Sequence, residues 1–159
     1  IAVCEMPRRN YLAGRYIRCW SPDWQARLIH RQRTEWDVGH LPENRRPMPG
    51  FGIRRLRGPL LHGRAGGFTP TDLVDGVKMP SSAELLASNL ARRGKRATLA
   101  NLLFRPPATF LKYYILRGGI LDGRLGLVIA YKTMIGVMLK YTALFAKELT
   151  RDDGDGAAR

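Results

Sequence analysis

Four side chains within the first 62 residues could take part in acid–base or metal chemistry. Asp23 follows a Ser-Pro turn signal, His40 and Glu43 are separated by two residues, and His62 ends an apolar run. A carboxylate can take a proton from a hydroxyl group, and a neutral imidazole can hold a metal ion. Each also has an ordinary interpretation: a turn cap for Asp23, an exposed loop residue for Glu43 and a structural role for His62. Residue type alone leaves both interpretations open.

The cysteines and the one Asp-x-Asp string point to no chemistry. Cys4 and Cys19 match neither a disulfide scaffold nor a metal-ligand spacing, so a reducing compartment is the simpler expectation. Asp153-Gly154-Asp155 lies in the terminal run RDDGDGAAR, which we expect to be a disordered tail over residues 150–159. This Asp-x-Asp is therefore not interpreted as a metal site.

Charge is the most unusual property of the chain. It has 27 Lys and Arg against 13 Asp and Glu, a net charge of +14, which favours an anionic partner such as nucleic acid, phospholipid or a diphosphate. A length of 159 residues with 45% hydrophobic content is enough for a core. No RNP-like aromatic strand, zinc spacing or recognition helix supports nucleic-acid binding.

The first part of the chain, residues 1–66, lacks a sustained helical period. Its Arg, aromatic, Gly and Pro content predicts short strands and one short helix. Segments 10–19 and 24–30 are each expected to form a brief structured element. The run 41–52, with three prolines and two glycines, is predicted to be a loop, and 53–62 ends in an apolar, strand-like stretch.

Residues 67–149 are predicted to form four helices. Ser81 begins a capping box for the first, and Gly94 is expected to end it. The second is predicted to begin at about Thr98, and Pro106-Pro107 are predicted to separate it from the third. The fourth and longest follows Asp122-Gly123.

The fourth predicted helix is long enough to cross a bilayer, which takes roughly 20 residues. Lys132, Lys140 and Lys147 fall on one side of it, so a spanning helix would bury ammonium groups. Two interpretations stay open: a helix packed on the domain with a solvated lysine stripe, and a helix lying on anionic lipid.

The segment before that helix tilts the balance toward lipid. Its aromatic residues, from Phe104 to Tyr114, are interleaved with Arg105, Lys112 and Arg117, the mixture expected at a headgroup interface. The predicted membrane surface comprises Arg105, Lys112, Arg117, Lys132, Lys140 and Lys147.

A series of short strings along residues 8–148 carries a family resemblance. The strings are RRNYLAGRYI at 8–17, WSPD at 20–23, QARL at 25–28, LLH at 60–62, RRGKRATL at 92–99, LFRPP at 103–107, FLKYYIL at 110–116, GILDG at 119–123 and GL at 126–127. In this order and spacing they closely resemble the C-terminal region of family 2 glycosyltransferases of the lipopolysaccharide-core type.

The resemblance implies an α/β fold: the C-terminal part of a GT-A core, residues 1–66, followed by a helical, amphipathic region, 67–149. In such enzymes a Rossmann-like N-terminal half binds a sugar nucleotide through an Asp-x-Asp site for a divalent metal, Mg or Mn. That half is not among these residues. Because the chain opens at Ile1 without Met or a signal region, we expect a truncated chain that is inactive alone.

The implied reaction is displacement of a nucleoside diphosphate by an acceptor hydroxyl. It needs a carboxylate to take the proton and positive charge to stabilise the leaving diphosphate. Glu43 is the expected base; in the family a His-Glu pair stands here, which Leu41-Pro42 interrupts in this chain. The expected acceptor or diphosphate contacts are Asp23, Gln25, Arg27 and His40, and the expected metal ligand is His62.

The expected partners follow from the same resemblance. They are a nucleotide-sugar donor, a lipid-linked or lipopolysaccharide-core saccharide acceptor and an anionic membrane, with no nucleic acid. This would place the chain peripherally on the cytoplasmic face of a bacterial inner membrane. The alternative is a non-catalytic, basic protein that binds a membrane surface or nucleic acid.

Overall fold

The chain divides into two compact units. The computed structural model describes residues 1–37, 44–63 and 78–156. Ile1–Asp72 form the first, here called the sheet unit, and Leu73–Arg159 the second, the helical unit. The division lies close to the boundary expected after residue 66.

One long strand organises the sheet unit. β1 (Val3–Leu12) pairs antiparallel with β3 (Asp23–Ile29) and, at its end, with β2 (Arg15–Tyr16). β6 (Ile53–Arg55) and β7 (Leu60–His62) pair with β1 in parallel, one after the other. Segments that are distant in sequence therefore lie side by side against β1.

The β1–β2 hairpin closes through Ala13-Gly14, where both residues have positive φ, 47° and 75°. Positive φ at both central residues is the geometry of a type I′ turn, whose twist matches that of the flanking strands. The small apolar core of the unit consists of Ala2, Val3, Leu12, Ile17 and Cys19.

Two predictions for the sheet unit are wrong. The described residues 1–37 and 44–63 contain no helix. The predicted loop contains β5 (Asn44–Pro47), which pairs antiparallel with β4 (Thr34–Asp37). Pro47 is tolerated because it is the last residue of a strand in a two-stranded sheet, where its missing N–H interrupts no central ladder.

The helical unit is built around its last helix. α1 (Lys78–Arg92) and α2 (Leu99–Leu111) both pack on α3 (Gly123–Gly156). The core cluster comprises Ala87, Tyr141 and Leu144, packed by Leu90, Ala97, Leu102, Val137 and Ala143. α3 is thus the central support of this unit.

Helix ends follow local signals at two of three places. Gly94 adopts a φ of 66° after α1, and Thr98 Oγ1 accepts a hydrogen bond from the Asn101 N–H at 3.2 Å, as the predicted stop and start require. The capping box at Ser81 is wrong, because α1 begins at Lys78 and Ser81 lies inside it.

The helix break predicted at Pro106-Pro107 is also wrong. α2 continues through both prolines into a π-helical turn, Lys112–Leu116. Each proline removes one intrahelical hydrogen bond, but Pro106 is buried in the unit, so packing compensates for that loss. At the other end, α3 extends to Gly156, into the predicted disordered tail, because lengthening an existing helix needs no new nucleus.

A tight corner joins α2 to α3. Gly118, with a φ of 73°, leads from the π-helical turn into a 3₁₀ turn, Gly119–Asp122. The backbones at Gly119 and Gly126 lie so close that a β-carbon on Gly126 would overlap the Gly119 carbonyl. We refer to residues 111–121 as the corner.

Candidate functional site

Strand register brings four separated residues onto one face of the sheet. Arg8 of β1 pairs with Asp23 of β3, and Met6, two residues earlier, pairs with Gln25. On the parallel side, Asn10 pairs with His62. Paired residues, and alternate residues along a strand, share a face. Register therefore gathers Arg8, Asp23, Gln25 and His62.

Asp23 is the hydrogen-bonding centre of this face. Its Oδ2 accepts from Arg8 Nη2, which also forms an ion pair with it, and from Gln25 Nε2 at 2.8 Å. The turn before β3 is instead tied by Ser21, whose Oγ accepts from the Asn10 N–H at 2.9 Å. The side chain of Asp23 is thus held on the sheet by two donors.

Arg27 joins the same group through a β-bulge. Ala26 pairs with Glu5 and Leu28 with Cys4, so Arg27 is the extra residue of β3 between them. Bulges re-aim side chains. The charge of Arg27 acts on His62, because it contributes to lowering the pKa of that imidazole. We call Arg8, Asp23, Gln25, Arg27 and His62 the basic face.

The environment of His62, whose side chain stays exposed at the end of β7, favours the neutral imidazole. Partial burial, then the guanidinium groups of Arg8 and Arg27, lower its pKa below the ordinary 6.5. A lowered folded-state pKa means that the unfolded chain binds the proton more readily. Stability contributed by neutral His62 is therefore present above pH 6.5 and is lost as pH falls through the folded-state pKa.

We predict that NMR titration will give His62 a pKa below 6.5, and that Arg27→Gln will raise it by removing one of the opposing charges. Loss of the His62 signal in a His62→Gln variant assigns the resonance. Arg9→Gln, one residue along β1 and on its opposite face, is the control and should leave the titration unchanged. An equal response to both substitutions would contradict this arrangement.

Sequence reasoning missed Arg8 as a site residue. Among the described residues, the buried Nε–H of Arg8 has no hydrogen-bond acceptor. Because that atom is shielded from solvent, a ligand arriving at this face would meet only the exposed part of the Arg8 side chain. Arg8 stands among several arginines, and only the pairing with β3 and β7 distinguishes it.

The opposite face of the sheet is occupied by internal contacts. Arg55 Nε donates to Glu5 Oε2 at 3.1 Å, and the Arg55 guanidinium lies 4.8 Å from the Trp24 ring centroid. A guanidinium group over an aromatic ring is an attractive contact, so the charge of Arg55 is engaged within the sheet unit. The residues of the basic face thus group the guanidinium groups of Arg8 and Arg27 and the His62 imidazole around the Asp23 carboxylate.

Two predicted site residues, His40 and Glu43, lie outside the described residues, so the base assignment to Glu43 stays a prediction. Within the described ranges, no three His, Cys, Asp or Glu side chains come together as a metal site. Around His62 the nearby charges are guanidinium groups, which favour an anion over a cation. The role of His62 as a metal ligand also stays a prediction.

The predicted membrane-surface cations fall into two groups. Lys147 Nζ lies 3.7 Å from Glu84 Oε1 of α1, and Lys140 Nζ lies 4.6 Å from the Tyr141 ring centroid. Burial and then the charge of Arg105 lower the pKa of Lys140. These contacts indicate that the two lysines serve packing within the unit.

The second group lies nearer the corner. Lys112 is exposed, and Arg117 lies 5.2 Å from the Tyr113 ring centroid. Arg105 is exposed but donates to Asn101 Oδ1 at 2.8 Å, and Lys132 is half-buried. Lys112 and Arg117 are therefore the predicted cations that lie within the corner itself.

Comparison with protein families and solved structures gives no match. No protein-family model matches the chain, and no solved structure matches it, a GT-A core included. The geometry of the two units therefore carries the functional interpretation.

Proposed function

We propose that this chain is the acceptor-side portion of a family 2 glycosyltransferase. It would help transfer a sugar from a nucleotide-sugar donor to a lipid-linked or lipopolysaccharide-core saccharide at the cytoplasmic face of a bacterial inner membrane. One observation carries the proposal: Asp23, Gln25, Arg27 and His62, distributed over 40 residues of sequence, converge with Arg8 on one sheet face.

The chemistry of that face suits a leaving diphosphate. Arg8 and Arg27 would hold phosphate oxygens, for which the planar guanidinium is well shaped. Asp23 positions Arg8 through their ion pair. Charge stabilisation of this kind, aimed at the leaving group, is a large contribution in group transfer.

The family, the reaction, the base and the metal all rest on the resemblance of the sequence strings, whereas the basic face rests on strand register. Glu43 would take the proton of the acceptor hydroxyl. A divalent metal, Mg or Mn, would neutralise the donor diphosphate when bound, with His62 as its contact in this chain. Two guanidinium groups act on His62, and their charges would bind the phosphate oxygens directly, whether or not the imidazole reaches the metal.

Binding of a nucleoside diphosphate and of inorganic pyrophosphate tests the basic face. Loss of one charged hydrogen-bond donor costs about 1.5–3 kcal/mol, so Arg27→Gln should weaken binding by roughly tenfold or more in calorimetric titration. Arg9→Gln, with the same charge change on the other face, should change it by about twofold at most.

Four results would contradict the proposal. Absence of saturable diphosphate binding, or an equal loss of affinity in both variants, would show that the basic face contributes only nonspecific positive charge. Tighter binding of an oligonucleotide than of the diphosphate would favour the nucleic-acid alternative. The genomic reading frame upstream of Ile1 should also encode an Asp-x-Asp after an apolar strand, and its absence would argue against transfer.

A further inference from the structure

The corner between α2 and α3 exposes an unusual concentration of apolar side chains. Each of its large aliphatic residues is more than half exposed: Leu111 at 52%, Ile115 at 56%, Leu116 at 82%, Ile120 at 58% and Leu121 at 69%. Scattered single apolar residues are normal on a protein surface, but a contiguous group of this kind marks an interaction site.

The corner is a built structure and not an extended loop. The π-helical turn, the left-handed Gly118 and the 3₁₀ turn follow one another without a gap. A side chain on Gly119 would meet the Tyr113 carbonyl oxygen at 2.7 Å, so the backbone is closely packed on itself. The backbone that carries these exposed residues is therefore ordered by contacts within the helical unit itself.

Charge around the corner identifies the kind of partner. Residues 105–124 contain four cations, Arg105, Lys112, Arg117 and Arg124, against one acid, Asp122. Aliphatic side chains with cations beside them are the composition of segments that enter the headgroup region of anionic bilayers. A protein partner would need an acidic apolar groove to match both features.

The long helix next to the corner offers a competing interpretation. Gly119–Thr150 is long and apolar enough to cross a membrane. Yet Ile129, Ala130 and Leu144 of α3 are fully buried, and α1 and α2 both pack on α3. α3 is thus partly covered as the central helix of the unit, with 22% of its apolar window buried. The aliphatic residues of the corner are more exposed, at 52–82%, than Val128, Tyr131 and Met138 of α3, at 45–48%.

We propose that the corner, residues 111–121, is a membrane wedge that inserts its aliphatic side chains into the interface of an anionic bilayer. Lys112 and Arg117 contact lipid phosphates, and α3 stays outside the bilayer as the support of the wedge. The wedge specifies which residues contact the membrane named in the proposed function, and the choice of an anionic membrane rests on that function. Vesicle binding needs no sugar transfer, so the two proposals can fail separately.

The test is flotation of the full chain with phosphatidylcholine vesicles, with and without phosphatidylglycerol, at low and high salt. A Leu116→Asp, Leu121→Asp double variant should lose binding by about tenfold or more, because two buried leucines contribute that much or more. Leu99→Asp is the control: Leu99 is 72% exposed but stands at the far end of α2, and its variant should bind within about twofold of the original chain.

Retention of helical circular dichroism shows that the variants fold. Binding that is independent of phosphatidylglycerol, or lost equally in Leu99→Asp, would overturn the wedge. A dimer in sedimentation equilibrium that the double variant abolishes, without vesicle binding, would identify a second copy of the chain as the occupant instead. Protease protection of the middle of α3 by vesicles would favour a spanning helix.

Discussion

Gly126→Ala is expected to destabilise the helical unit severely. The new β-carbon would overlap the Gly119 carbonyl carbon and oxygen, which are backbone atoms and cannot rotate away. Overpacking typically costs about 1–3 kcal/mol and occasionally more, and a clash with fixed backbone places this substitution at the upper end. Urea denaturation followed by circular dichroism at 222 nm measures the loss, because the described helices all belong to this unit.

The same helix contains a matched control. A β-carbon on Gly136 would have no atom within 4 Å, and alanine is favoured over glycine in helix interiors by roughly 1 kcal/mol. Gly136→Ala should therefore stabilise the unit slightly. We expect the two glycine-to-alanine substitutions in α3 to change the free energy of unfolding in opposite directions. Similar effects of the two variants would contradict the close approach at the corner.

Leu144→Ala is the second substitution expected to have a large effect. Leu144 is fully buried in the cluster with Ala87 and Tyr141, where α1 meets α3. Removing a buried leucine side chain costs about 2–5 kcal/mol, since burial is lost and a cavity remains. The midpoint of urea unfolding should fall accordingly.

Leu149→Ala is the control for this cavity. Leu149 lies five residues further along α3 but is 50% exposed, and surface substitutions usually change stability by less than about 0.5 kcal/mol. All three tryptophans, Trp20, Trp24 and Trp36, belong to the sheet unit. Their fluorescence gives a separate signal for that unit in the same experiment. Equal destabilisation by both leucine variants would contradict the α1–α3 core.

These two predictions connect stability to the proposed membrane contact. The corner that carries Leu116 and Leu121 packs on α3 through the close approach of Gly119 and Gly126, and α3 in turn is held by the core cluster. A variant that loosens either support should also weaken vesicle binding, although neither Gly126 nor Leu144 belongs to the wedge. Vesicle flotation of the folded fraction of Leu144→Ala measures this coupling.

Local sequence signals determined much of the secondary structure. The left-handed stop at Gly94 and the cap at Thr98 are confirmed, because helix ends are satisfied by residues within three or four positions. The change from strands to helices after residue 66 could be predicted for the same reason, since periodicity is a local property. The helix break predicted at Pro106-Pro107 is wrong because packing of α2 on α3 outweighs the unfavourable helix propensity of proline.

The candidate site was likewise predictable from the sequence only in part. Residue type made Asp23 and His62 candidates, and the family resemblance added Gln25 and Arg27. Nothing in the sequence joins the four, since strand pairing between distant segments sets the register. The same register places Arg8, and not its neighbour Arg9, on the basic face. The expected lysine stripe of α3 is likewise divided by tertiary contacts of Lys140 and Lys147.

The sequence by itself thus determined the charge, the candidate residues and the stop after α1, all of which depend on composition and near neighbours. Only the tertiary structure decided which side chains share the basic face and which apolar residues stay exposed at the corner. The physical reason is that burial and register depend on contacts between residues far apart in the chain, and a local pattern contains no record of them.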